Sequence, residues 1–298
     1  MSRLGLALGS GGARGWCHIG VLRALDQLGL KPEVVAGCSM GALVGAAWAA
    51  GKLDALEDWA RSMTQTRMLK YVDLRFENGG LLRGGTVRDL MAEVGLPERI
   101  EDLDHPFLAV ATDIATGHEV WIREGDLFDA VRASISIPAV FCPHLVNGKW
   151  LLDGGLINPV PSSACRALGA DRIVSVNPNG KFGHLWEPGR PMLEQIGATE
   201  WLDKLPSVVG EQMREMMKSD TPKGPDIFEV MSTSIDIMTE FVRKARSASD
   251  PAHLELEADL NHMSVLELYR AQEAIDEGAR IVEAQADALR QLATDTPS

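Results

Sequence analysis

The chain has 298 residues, of which 45% are hydrophobic and 24% charged, the balance of an ordinary globular protein with one large or two modest domains. A formal charge of −13 excludes a nucleic-acid binder, whose affinity rests on basic patches. It also weighs against electrostatic docking on anionic lipid, and leaves apolar peripheral membrane contact open. No apolar run reaches the roughly 18 residues of a membrane span, and no charged stretch followed by a long apolar one opens the chain. Cys17, Cys38, Cys142 and Cys165 form no CxxC pair and no metal-ligand spacing. The expected compartment is the cytoplasm, with thiols reduced.

In chain order, Leu4-Gly5-Leu6-Ala7-Leu8 reads as a strand buried on both faces. A glycine turn follows, Gly9-Ser10-Gly11-Gly12-Ala13-Arg14-Gly15. Cys17, Gly20, Val21, Ala24, Leu25 and Leu28 then recur on one helical face, stopped by Gly29. Pro32 leads into a second strand, Val34-Val35-Ala36, and a second turn, Gly37-Cys38-Ser39-Met40-Gly41. Leu43, Ala46, Ala47 and Ala50 continue on a helical period to Gly51. This repeated strand-turn-helix pattern predicts parallel strands joined by right-handed crossovers.

A third helix is expected over 53–66, with Leu56, Ala60 and Met63 inward, then a loop over 75–85 and a helix from Thr86. A strand over 107–112 pairs with one over 119–122 across Thr116-Gly117, and a helix over 127–134 ends before Ile137-Pro138. Trp150-Leu151-Leu152 is a brief strand ending in the turn Asp153-Gly154-Gly155. A helix from Pro159-Val160-Pro161 to Gly169 and a buried strand over 172–177 complete a core of about residues 4–180. The class is α/β with a largely parallel sheet.

Residues 181–298 read as a helical region packed on that core in the same structural domain. A loop is expected over 179–191, helices over 192–218 and 226–247, a strand over 253–258 and a closing helix over 264–292. Met192, Met213, Met216, Met217, Met231 and Met238 lie on the first two of these helices. They read first as core packing, and second as an apolar lid, a lipid-facing surface or a dimer contact, so a homo-oligomer stays open.

Gly37-Cys38-Ser39-Met40-Gly41 fits the nucleophile elbow, a sharp strand-to-helix turn that lifts a serine hydroxyl to the positive end of a helix. Glycine is needed where the turn crowds its neighbours. Alone the pattern is weak, and a plain turn satisfies it. Gly9 to Gly15 has three readings. A dinucleotide loop needs glycine where Arg14 stands and an acidic residue after the second strand, where Ser39 stands. A P-loop needs Gly-Lys-Ser/Thr, but Trp16 and Cys17 follow Gly15. The third reading is an oxyanion hole, built mainly from the N–H groups of Gly11 and Gly12, with Ala13 and Arg14 beside them.

A serine nucleophile needs a base. Ser39 follows only the second strand, which disfavours an α/β-hydrolase and its Ser, acid, His order. His184, His253 and His262 lie downstream, but none sits in a convincing strand-end turn; His18 is one residue from the inward stripe of the first helix, and all seven histidines read as structural or solvated rather than catalytic. Asp153, freed by Gly154 and Gly155 at a strand end, is the better candidate, since partial burial raises a carboxylate's basicity. The bland reading is a turn aspartate capping its own backbone.

The three stretches in order, Gly9 to Gly15, Gly37 to Gly41 and Asp153 to Gly155, resemble the patatin-like phospholipase family, in particular its bacterial members near the neuropathy-target-esterase group. The run Arg132 to Pro138 with Phe141 and Pro143 resembles the family's segment before its Asp motif. The likeness covers about residues 4–180. It implies a three-layer α/β/α fold and a Ser–Asp dyad without histidine, with Ser39 as nucleophile and Asp153 as base. Arg14 would hold the loop and face the lipid head group. Ser10 stands where the family often has glycine. The implied substrate is a lipid or acyl ester, cleaved through an acyl-serine intermediate without cofactor or metal. A thioesterase or acyltransferase on the same site, and a catalytically silent regulatory protein, are the alternatives.

Overall fold

The computed structural model describes residues 3–69, 80–82, 85–180, 224 and 227–294. Its strands are β1 (Leu4–Leu8), β2 (Val34–Cys38), β3 (Gly80–Leu82), β4 (Phe107–Asp113), β5 (Glu119–Ile122), β6 (Ala139–Phe141), β7 (His144–Val146), β8 (Lys149–Asp153), β9 (Arg172–Asn177) and β10 (Leu254–Glu257). Its helices are α1 (Cys17–Gln27), α2 (Met40–Ala49), α3 (Leu53–Arg61), α4 (Gln65–Leu69), α5 (Gly85–Val94), α6 (Leu127–Ser134), α7 (Ser162–Ala167), α8 (Ile227–Ser249), α9 (Ala271–Ala284) and α10 (Ala286–Thr294).

Eight strands form one sheet in the order β10-β9-β1-β2-β4-β8-β7, with β5 also on β4. β10, β9, β1, β2 and β4 run parallel, while β5, β7 and β8 join antiparallel. The parallel strands read as near-continuous apolar runs because both faces are covered. Leu6, Leu8, Val35, Ala109, Val174 and Val176 face the larger core under α1, α2 and α9. Ala7, Val34, Ala36, Leu108, Val110 and Ile173 face Ala164 and Cys165 of α7. The result is the expected α/β/α layering.

The C-terminal segment is part of this architecture. β10 pairs in parallel with β9, and α9 lies across α1 at very close range. A Cβ on Gly20 would come within 1.9 Å of Ile275 O, and one on Gly278 within 2.0 Å of Cys17 O. Each glycine therefore lets the opposite backbone approach. Gly29, expected to stop α1, has a φ of +73° that suits a glycine C′ position.

Several expected elements are revised. The helix over 53–66 is two helices: Ser62 Oγ donates to Trp59 O at 2.7 Å as α3 ends, and Thr64 Oγ1 accepts from Arg67 N at 3.1 Å to cap α4. Of the loop expected over 75–85, Gly80–Leu82 is a strand paired in parallel with β6, Gly85 opens α5, and the rest lies outside the described residues. The closing helix starts at Ala271 rather than Ser264, and it breaks at Gln285, whose side chain donates to Glu255 O at 3.2 Å. The loop over 181–191, the helix over 192–218 and its methionines lie outside the described residues.

Met231 and Met238 do not pack on the core; both are exposed on α8, as are Val230, Ile237 and Phe241. The buried side of α8 is charged instead. Arg243 donates to Glu240 at 2.8 Å and to Glu255 of β10 at 2.9 Å, and Glu240 and Arg243 are both buried. Glutamates on the outermost strand draw the helix's arginine inward, and its apolar side is left outward.

The α1–α9 seam gives a direct test. Gly278→Ala is expected to lower stability by about 1–3 kcal/mol in urea unfolding, the usual cost of overpacking. Gly85→Ala, where an added Cβ meets nothing within 4 Å, is expected to change it by less than about 0.5 kcal/mol.

Candidate active site

The glycine turn leaves the C-terminal end of β1 and Ser39 leaves that of β2, and these two strands are neighbours. Asp153 arrives from the opposite direction. Ala109 and Val110 of β4 pair with Gly37 and Cys38 of β2 on one side, and with Ile122 and Trp121 of β5 on the other. Ala111 and Thr112 pair with Asp153 and Leu152 of β8 on one side, and again with β5 on the other. β2 and β8 therefore share one edge of β4 and run toward each other along it. Their C-terminal ends meet, and Ser39 Oγ donates to Asp153 Oδ2 at 2.6 Å.

Backbone and buried hydroxyls hold both groups. Ser39 has φ 55° and ψ −124°, a strained conformation that costs on the order of 1–3 kcal/mol. Its N–H donates to Ser134 Oγ at 2.9 Å, and the Ser134 hydroxyl donates to Val110 O at 2.6 Å. Thr112 Oγ1 donates to Asp153 O at 2.8 Å, Asp153 N to Ser136 O at 3.0 Å, and Gly155 N to Asp153 Oδ1 at 2.7 Å. The loop carrying Ser136 is fastened by buried Arg132, which donates to Ser136 Oγ at 2.7 Å and Cys142 O at 2.9 Å and lies 4.8 Å over the Phe141 ring. The motif glycines all mark close approaches: Gly9 to Val176 O, Gly15 to Met40, Gly37 to Ala42, Gly41 to Leu8 O, Gly154 to Val110 O, and Gly155 to the side chains of Asp153 and Ser10.

Ser39 is 2% exposed and Asp153 4%. Burial pushes the Asp153 carboxyl up to about 7, against the hydrogen bonds from Ser39 and Gly155 that favour its ionised form. A hydroxyl bonded to such a carboxylate can pass its proton on attacking a carbonyl, and the N-terminus of α2 beside it favours developing negative charge. No histidine bonds to either group among the described residues. His253 Nδ1 accepts from Ile173 N at 3.0 Å, His262 pairs with Glu273, and His184 lies outside the described residues.

The glycine loop departs from expectation in two ways. Ala13 N donates to Val265 O at 2.8 Å and Arg14 N to Gly11 O at 3.1 Å. Those two amides are therefore committed, and do not join an oxyanion hole in this geometry. The N–H groups of Gly11 and Gly12 carry no hydrogen bond among the described residues. The Arg14 side chain, expected to face a head group, is buried. It donates to Met263 O at 2.6 Å and Asn179 Oδ1 at 2.7 Å, and the nearby carboxylates of Asp236 and Glu267 favour its charge against the burial that lowers its pKa.

Sequence reasoning passed over His18 as structural. It is fully buried, and its Nε2 lies 2.8 Å from Gly9 O at the start of the loop. Burial lowers its pKa to about 4, so it is neutral at pH 7. It also passed over Ser134, Thr112 and Asn179, whose contacts are mostly with backbone. No group of His, Cys, Asp and Glu able to hold a metal occurs among the described residues. None of their helices is long and apolar enough to cross a membrane.

Residues 6–165 match the model of the family described as patatin-like phospholipase. The chain belongs to the patatin-like phospholipase family. An uncharacterized NTE family protein of Mycobacterium tuberculosis is 34% identical over 93% of this chain and 89% of its own length. Neuropathy target esterase sws of Drosophila melanogaster is 33% identical over 58% of this chain and 13% of its own length. The crystal structure of VipD from Legionella pneumophila is a remote likeness, with a TM-score of 0.40 and 13% identity over 99% of this chain and 80% of that one. The patatin-like family is hydrolytic in type, and the fold of this chain is the largely parallel, helix-flanked sheet expected of it.

Ser134 links the turn carrying Ser39 to β4 through a buried hydroxyl. Ser134→Ala leaves the Ser39 amide and the Val110 carbonyl unpaired, and is expected to cost about 1–3 kcal/mol of stability. Thermal and urea unfolding of the variant measure it.

Proposed function

We propose that the protein is a serine lipid acyl hydrolase of phospholipase or lysophospholipase type, with Ser39 as nucleophile and Asp153 as general base. The observation that carries this is the 2.6 Å hydrogen bond from Ser39 Oγ to Asp153 Oδ2 in a buried setting. Ser39 Oγ attacks the ester carbonyl carbon as its proton passes to Asp153. The N–H groups of Gly11 and Gly12 stabilise the oxyanion of the tetrahedral intermediate. Collapse expels the alcohol, which takes the proton from Asp153, and leaves acyl-Ser39. Water then attacks the acyl carbon, again losing a proton to Asp153, and collapse releases fatty acid and expels Ser39 Oγ, which takes that proton back from Asp153.

Support for a lipid substrate comes from the family. Ile114, Trp121, Leu145 and Trp150 are exposed on one face of the sheet. It is the face of Val110, opposite the one to which the pairing of Asp153 with Ala111 assigns the carboxylate, so that patch lends no support to any one substrate.

Ser39→Ala is expected to abolish ester hydrolysis and fluorophosphonate labelling while the fold persists. Full activity in a folded Ser39→Ala protein sinks the reading. A panel of phospholipids, lysophospholipids and short soluble esters, run with both proteins, identifies the substrate class.

The pH dependence has a definite sign. Asp153 acts as a base when ionised, so kcat/KM should fall about tenfold per pH unit below about 7 and level off above it. Stability runs the other way. The folded pKa of about 7 stands above the ordinary 3.8, so this carboxyl's contribution to stability is full below about pH 4 and is lost as pH rises through 7. Asp153→Asn should therefore be inactive, yet gain thermal stability relative to wild type between pH 4 and pH 8.

A further inference from the structure

The glycine loop is held from a side that contains none of the family motifs. Two carbonyls of the segment 263–268 contact it and a third contacts Trp16, the residue that follows it. Val265 O accepts from Ala13 N at 2.8 Å, Met263 O from Arg14 Nε at 2.6 Å, and Leu268 O from Trp16 Nε1 at 3.2 Å. Gly12 has a φ of +54°, and a Cβ there would lie 2.5 Å from Val265 O, so the segment rests on the loop itself. Arg14 Nη1 also reaches Asn179 Oδ1 at 2.7 Å, and Asn179 Nδ2 returns to Ser10 O at 3.0 Å. Arg14 and Asn179 thus link both ends of the loop to the same support.

The segment is braced before it touches the loop. The buried Glu267 carboxylate accepts from Ser264 N at 2.8 Å, Tyr269 Oη at 3.0 Å and Arg270 Nη1 at 3.0 Å. The carbonyls of Met263, Val265 and Leu268 are therefore pre-placed acceptors. A glycine-rich loop has few side chains with which to fix itself and loses more entropy than most on ordering. An oxyanion hole works only when its donors are aimed before the charge develops. The carbonyl of Val265 also takes the Ala13 amide, which leaves the amides of Gly11 and Gly12 to face a ligand.

We infer that the Met263–Leu268 strap, acting through Arg14 and Asn179, positions the glycine loop for acyl transfer. The acyl-transfer unit then includes a C-terminal segment outside the family-matching residues 6–165. Arg14 and Asn179 are positioning residues; neither is assigned contact with substrate. The inference rests on the proposed hydrolase chemistry.

The test uses the full chain with Arg14→Gln, Arg14→Lys, Asn179→Ala and the double variant Arg14→Gln/Asn179→Ala. Steady-state hydrolysis of a soluble ester is measured, together with binding of a trifluoromethyl ketone and of a non-reactive ether analogue. Arg14→Gln is expected to lower kcat on the order of 10²-fold with KM within about twofold, in line with the loss of a hole donor. Affinity for the ketone, which forms the tetrahedral oxyanion, should fall by a similar factor while the ether binds as before. Arg14→Lys should recover part of kcat, and the double variant should be no worse than Arg14→Gln alone. A merely structural role would lower thermal stability without separating ketone from ether. If Arg14→Gln does not fold, Asn179→Ala decides, with an expected loss in kcat of about tenfold by the same reasoning. Wild-type kcat and ketone affinity in the folded variants overturn the strap while Ser39→Ala is still inactive. Activity in folded Ser39→Ala overturns the hydrolase reading itself.

Discussion

Two strands meeting end to end on one edge of β4 are the constraint from which the site follows. A parallel strand and an antiparallel strand can share an edge only if one stops where the other stops, and here the stopping points are Cys38 and Asp153. The backbone must turn away at once on both sides of that junction. It does so through Ser39 at positive φ and through Gly154 packed against Val110 O. The short Ser39–Asp153 hydrogen bond is thus set by sheet register rather than by side-chain reach. Sheet register is among the more rigid quantities in a fold, since a slip of one residue would turn Asp153 to the opposite face.

The same junction governs the electrostatics. Taking a carboxylate out of water costs free energy that two hydrogen bonds only partly offset, and the Asp153 pKa rises accordingly. That is a liability for stability and an asset for proton transfer near neutral pH, a trade common at reactive sites. A direct Ser–Asp pair would be a poor base in a solvated turn. Burial between β4, the Ser136 carbonyl and the glycine loop changes its basicity without a histidine.

The parts legible in the sequence were those where a backbone passes too close for a side chain. Gly37, Gly41 and Gly154 each abut a main-chain atom, and such a constraint leaves glycine as its visible mark. The buried parallel strands were legible for a similar reason, since two covered faces demand unbroken apolar runs. The supports were not. Ser134, Thr112 and Arg132 act largely through backbone groups; the run Arg132 to Pro138 stood out only by its resemblance to the family, and nothing in its residue types told which main-chain groups it would hold. His18 differs from a solvated helix histidine only in the carbonyl beside it. The inverted face of α8 was illegible because its burial depends on Glu255 and Glu257 of a strand later in the chain. That Arg14 holds the loop was expected from the resemblance; that its side chain is buried, and that the Ala13 amide is taken by Val265 O, was not legible because their partner, the 263–268 segment, lies far away in sequence.

Contiguity in sequence is accordingly a poor guide to the extent of this site. β1, from which the glycine loop springs, lies between β2 and β9, and β9 is flanked in turn by β10. The residues that match the family end before either of those strands begins. Without them the β1 backbone would present unpaired donors and acceptors along one edge, a costly exposure for a strand made of apolar residues. The contacts that carry the dependence are main-chain acceptors: Val176 O for Gly9 N and Val265 O for Ala13 N. Main-chain acceptors constrain the path of the chain and hardly constrain which side chains it carries. A segment can therefore be essential to the geometry of a reacting group while leaving almost no signature in its own sequence.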